Sequence, residues 1–134
     1  MSEQKPQGEI LIYATDDGSV KLDVKLDNET LWMSQQMMAE LFQTTVANIN
    51  IHIKNIFEEG ELSEKATIKD FLIVRQEGTR KVQRNLAYYN LDMIISVGYR
   101  VKSVIATRFR MWATERLQFT LSQSILTQVL AGLT

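Results

Sequence analysis

The chain has 134 residues, 45% of them hydrophobic and 23% charged, which suits a single domain with its own core. It has no cysteine, so disulfides and thiolate metal sites are excluded, and a reducing, cytoplasmic setting is expected. No run of about eighteen apolar residues occurs, so no membrane-spanning helix is expected. The net charge of −1 hides an asymmetry. Residues 1–74 hold 6 Lys or Arg against 13 Asp or Glu, whereas residues 75–117 hold 9 against 3 (Glu77, Asp92 and Glu115). Residues 118–134 carry no charged side chain. This pattern suits a localised anion-facing surface, and it equally suits a solvated basic face balancing an acidic one.

Along the chain, Met1–Gly8 reads as a disordered stub without the apolar core of a signal peptide. Glu9–Thr15 is apolar and β-rich, and Asp16-Asp17-Gly18-Ser19 has the composition of a tight reversal. Val20, Leu22, Val24 and Leu26 then alternate with polar residues, which predicts a half-buried strand and hence a hairpin. Asp27-Asn28 signals a further turn, with a short third strand over Thr30–Trp32. Ser34 is placed to cap a helix over Gln35–Phe42. Thr44 or Thr45 is placed to cap a second helix running to Glu58, with Ile49, Ile53 and Ile56 on its inner side. Phe71–Val74 and Val82–Asn90 predict a second hairpin. Asn90 caps a helix from Leu91 to about Val97, which Gly98 or the residues after it are expected to end. A longer helix follows from Ser103, and the residues after Leu117 could extend it.

The two helices within Trp32–Phe57 have the layout of a helix-turn-helix. Ala39 is small where the helices must approach, and Gln43 stands where glycine is common at such a turn. On the second helix Thr45, Asn48, His52 and Asn55 share one stripe. In a DNA-binding reading they face base edges in the major groove, where Asn can pair with adenine through two hydrogen bonds. The same residues also suit an ordinary helix pair with a polar outer face. Arg75, Arg80, Lys81 and Arg84 lie near the tip of the second hairpin, where they could hold phosphates as a wing or simply keep an exposed edge soluble. Tyr99 to Trp112 interleaves basic and aromatic residues. The favoured reading there is that Phe109 and Trp112 anchor a core while the arginines lie over it. Within Tyr88-Tyr89, alternation leads us to expect one ring outward.

No nucleophile elbow, phosphate loop, dinucleotide-binding turn or paired carboxylate site is present, and His52 has no partner at ligand spacing. The sequence therefore predicts a non-enzymatic protein without cofactor or metal.

Leu31–Ile56, Tyr88–Val101 and Phe109–Glu115 together carry a resemblance to the RhuM family, bacterial proteins described as virulence-associated or DNA-binding. The run Tyr-Asn-Leu-Asp-Met-Ile-Ile-Ser-Val-Gly-Tyr-Arg-Val is its most distinctive part. The arrangement is also similar, less closely, to the N-terminal domains of phage antirepressors. The resemblance spans Gly8 to Leu117 and implies a DNA-binding or regulatory role, with no catalytic residues to carry over. Gln118–Thr134, uncharged, departs from the charged continuation expected of the family, and Met111 stands where a polar residue is expected.

The combined expectation is an α+β fold: an N-terminal β-hairpin, a helix-turn-helix, a wing-like second β-hairpin and C-terminal helices. Residues 1–8 form a stub, 9–117 the domain and 118–134 an apolar extension. The expected partner is double-stranded DNA, bound by a homodimer paired through the C-terminal helices and acting in transcription regulation. The alternative is a non-enzymatic protein-interaction adaptor that binds a repressor or a toxin.

Overall fold

Three tight reversals build the sheet. The structure, a computed structural model, describes residues 9–132; the N-terminal stub lies outside the described residues. Strands β1 (Glu9–Ala14), β2 (Lys21–Asp27), β3 (Thr30–Met33), β4 (Ile68–Glu77) and β5 (Arg80–Asn90) form one antiparallel sheet in the order β1-β2-β3-β5-β4. Between β2 and β3, Asn28 and Glu29 both take positive φ (53° and 62°), the geometry of a type I′ turn that matches strand twist. Between β4 and β5, Gly78 supplies the positive φ of 64° in a two-residue turn. The β1–β2 loop is closed by Asp17, whose Oδ1 accepts from the Ser19 N–H at 2.9 Å and from the Thr15 and Ser19 hydroxyls at 2.8 Å each.

Five helices follow from local caps and apolar spacing: α1 (Gln35–Phe42), α2 (Val46–Glu58), α3 (Glu64–Thr67), α4 (Leu91–Val101) and α5 (Ser103–Gly132). Ser34 Oγ accepts from the Met37 N–H, Thr45 Oγ1 from the Asn48 N–H and Asn90 Oδ1 from the Met93 N–H. These caps satisfy amide groups that a helix start leaves without partners. The core lies between the helices and one face of the sheet. Tyr13, Leu22, Val24, Leu31, Met33 and Tyr89 meet Phe42, Ile49, Met93, Val97 and Phe109 there.

The opposite sheet face carries a smaller cluster of Trp32, Phe71 and Tyr88. Lys25 and Lys69 each stand 5.3 Å from the Phe71 ring centre, and Lys69 also pairs with Asp27. Both tyrosines of the Tyr88-Tyr89 pair are therefore buried, one on each face, and the expected outward ring is absent. Alternation was read correctly, but a second cluster covers the face taken to be solvent.

Of the two ends expected for α4, Gly98 or the residues after it, the structure shows the second: the helix passes through Gly98 to Val101. A Cβ built there would lie 2.5 Å from Phe42 Cζ and 2.7 Å from Ala106 Cβ, so the bare backbone lets α1, α4 and α5 converge. The one-turn α3 was not foreseen, and β4 and β5 are longer than predicted. The apolar stretch after Leu117 continues α5, leaving Phe119, Leu121, Ile125, Leu126, Val129 and Leu130 exposed.

Two measurements check these points. Gly98→Ala should destabilise the fold by about 1–3 kcal/mol in urea denaturation through overpacking, although alanine is the better helix former by about 1 kcal/mol. The hydrogen bond from the Ser19 N–H, followed by that from the Thr15 hydroxyl, lowers the Asp17 pKa to about 2. A depressed carboxylate stabilises the native state above its unfolded pKa of about 4. That contribution should vanish as pH falls from about 4 to about 2, and Asp17→Asn should flatten the urea midpoint across that window.

Candidate nucleic-acid interface

Helix α2 is set by the turn that precedes it. Phe42 is buried as the last residue of α1, and Gln43 then takes a left-handed conformation (φ 58°, ψ 52°) where glycine would be unstrained. The Thr44 N–H donates to the Ala39 carbonyl at 2.9 Å, and Thr45 starts α2. Ile49, Ile53 and Ile56 are buried against the core, and Ala39 is buried on the facing helix. At its far end α2 is tied to α4, because the Arg100 guanidinium donates to Glu59 Oε1 at 2.6 Å and to Glu61 Oε1 at 2.9 Å. Those bonds lower the Glu59 pKa and raise that of Arg100. Ser96 Oγ adds a donor to Glu61 Oε2 at 2.9 Å.

The four predicted base-facing residues share one flank of α2. Thr45 is exposed, whereas Asn48, His52 and Asn55 are half-buried. Asn48 Nδ2 donates to Thr44 Oγ1 at 3.0 Å, which commits part of its amide locally. The outermost face of α2 is a different stripe: Ala47, Ile51, Lys54 and Glu58 are all exposed, Ile51 by 54%. Sequence reasoning had placed isoleucine on the inner side only. The spacing of 47, 51, 54 and 58, opposite the buried 49, 53 and 56, was the available signal. Asn50, on the other flank, accepts from Gln35 Nε2 at 3.3 Å, and the same Gln35 amide donates to the Tyr89 hydroxyl at 3.1 Å. α1 thereby joins α2 to the sheet.

The predicted phosphate-holding cations all lie on the β4–β5 ribbon. Its register is unbroken from Ile68↔Tyr89 to Glu77↔Arg80, while β5 pairs with β3 only through Tyr89 and Asn90. The distal part of the ribbon therefore projects from the sheet, with most of its side chains exposed on both faces. Cross-strand partners share a face and successive residues alternate. Arg75, Arg80 and Arg84 accordingly stand on the face continuous with Phe71 and Tyr88, away from the helices. Lys81 stands on the face continuous with Tyr89. Arg84 is engaged, donating through Nε and Nη2 to the two Glu77 carboxylate oxygens at 2.9 Å each, which raises its pKa and lowers that of Glu77.

The basic-aromatic segment of α4 and α5 packs as expected. Phe109 is buried, Tyr13 meets Phe109 and Trp112 edge-on at 5.0 and 4.9 Å, and Arg116 lies over the Trp112 ring. Arg110 Nε donates to the Tyr99 hydroxyl at 3.1 Å, the main cause of a lowered Tyr99 pKa. Among the described residues, no group of three or more His, Asp or Glu side chains converges as a metal site would need. No helix of the described residues is long and apolar enough to cross a membrane.

Residues 66–127 match the Virulence protein RhuM family. That stretch, a little under half of the chain, is what the chain has in common with the family. The matched region takes in the ribbon, α4 and most of α5, and it continues past Leu117 into the uncharged segment expected to be atypical. The helix pair α1–α2 precedes it. No curated protein and no solved structure matches the chain at the significance required.

The left-handed Gln43 gives a direct check on the turn. Gln43→Gly should leave secondary structure unchanged and raise stability by up to about 1 kcal/mol in urea titrations, because strain is relieved. A loss of stability would mean that the turn is not held as described.

Proposed function

We propose that this chain binds duplex DNA as a non-catalytic regulatory protein, with α1 and α2 acting as a helix-turn-helix. The observation that carries this reading is α2 itself. It is a thirteen-residue helix capped at Thr45, anchored by three isoleucines on one side and tied down by Arg100 at its end. A rigid helix of this kind, polar on its accessible flank, suits the major groove. Asn48, His52 and Asn55 supply hydrogen-bonding groups, and Ala47 and Ile51 supply methyl groups that suit thymine. The ribbon adds charge, with Arg75, Arg80, Lys81 and Arg84 against the single carboxylate of Glu77 between Leu72 and Asn85. Because the ribbon projects, its long cationic side chains can reach phosphates beside the groove.

A homodimer is part of the same proposal. The large apolar side chains left exposed on α5 would be covered in part by the same helix of a second chain. Two-fold pairing suits a palindromic site.

The test begins with a site selected by the wild-type protein from a random duplex library. Asn48→Ala with His52→Ala should weaken that site about tenfold while changing random duplex little. Arg75→Gln with Arg80→Gln and Lys81→Gln should weaken both, by fluorescence anisotropy at fixed salt. Equal losses on the two duplexes for the helix variant would contradict the groove placement of α2.

A further inference from the structure

The ribbon has a second face, opposite the one that carries Arg75, Arg80 and Arg84. On the side continuous with Tyr89, three cross-strand pairs follow one another: Leu72 with Asn85, Val74 with Gln83, and Gln76 with Lys81. All six residues are exposed, and Leu72 and Val74 are each 58% accessible. Nearer the sheet the same face is covered, because Ile68 and Ala87 pack against the main core. The uncovered part is thus an apolar and amide surface on a two-stranded arm. Gln76 Nε2 is turned onto the Gly78 carbonyl at 3.0 Å, whereas the Asn85 and Gln83 amides make no hydrogen bond among the described residues.

We propose that this face is a second base-reading surface, entering the major groove of duplex DNA through Asn85 and Gln83. The inference rests on the DNA-binding reading above and assigns that activity a second element. Three physical features select the occupant. Between Leu72 and Asn85 the arm carries four cations against one carboxylate, an excess that attracts a polyanion, with Lys81 on this face, Arg75, Arg80 and Arg84 on the other, and Asp70 at the base of this one. A two-stranded ribbon fits the major groove, about 12 Å wide, and not the minor groove at about 6 Å. Each of the first two pairs sets an amide beside an aliphatic side chain. That combination matches an A·T pair in the major groove, where adenine offers N7 and the N6 amino group and thymine offers its methyl. Residues two apart on one strand are about 6.8 Å apart, the rise of about two base pairs. The arm should therefore read A·T pairs at two positions about two base pairs apart.

The experiment uses the full chain and the duplex it selects from a random library. Asn85→Ala with Gln83→Ala should lose about tenfold or more on that duplex and less than about threefold on random DNA. Replacing thymine by uracil at the two positions should weaken the wild type but not Leu72→Ala with Val74→Ala. The altered side chains are exposed, so unchanged thermal melts serve as the folding control. An unaffected selected site in both ribbon variants would overturn the inference while leaving DNA binding by α2 in place. Binding of all duplexes with equal affinity would overturn it too. Absence of duplex binding at low salt would remove both this inference and the reading beneath it.

Discussion

Phe42 against the bare backbone of Gly98 is the contact on which the remaining geometry depends. The ring is fully buried, and any Cβ at position 98 would intrude on it. Three helices meet at that point: the end of α1, the body of α4, and α5 through Ala106. Because Phe42 is the last residue of α1, its seating fixes where the chain turns at Gln43 and hence where α2 starts. The buried isoleucines then set the rotation of α2 about its axis, and Arg100 holds its far end. The surface offered to a partner is thus a consequence of a core contact on the other side of the helix pair.

Much of this was legible because the signals are local. Ser34, Thr45 and Asn90 each satisfy the amide three residues on, so cap and helix start can be read from a few neighbouring residues. The strict alternation of Val20 to Leu26 likewise marked a strand with one buried face. The failures were tertiary. Glycine at 98 has the same letter whether it ends a helix or admits a ring, and only the position of Phe42 decides between the two. Alternation leads one of Tyr88 and Tyr89 to be expected outward, yet Trp32 and Phe71 from distant parts of the chain cover Tyr88 on the second face. On α2 the outermost stripe through Ile51 was missed because apolar type was taken as a sign of burial. Once Ile49, Ile53 and Ile56 define the inner side, residue 51 must point outward.

The acidic and basic halves of the chain meet in the fold, and the use of charge is divided. The acidic Glu59 and Glu61 are spent on Arg100, and Glu77 is spent on Arg84. Arg75, Arg80 and Lys81 make no salt bridge among the described residues. They sit on an arm that leaves the sheet after its last contact with β3 and that lies inside the stretch matching the RhuM family model. The sheet end of β5 and α2 are joined through Gln35, which touches both Asn50 and Tyr89. In the reading developed here, helix and arm act on one duplex, the helix through its polar flank and the arm through charge and amides.

The most direct test of that reading is the affinity of the wild-type chain for random-sequence duplex across a range of salt concentrations. With three or four cations of the arm on phosphates, log K should fall linearly against log salt with a slope of roughly −3 or steeper. A slope near zero, or no binding at the lowest salt, would contradict it.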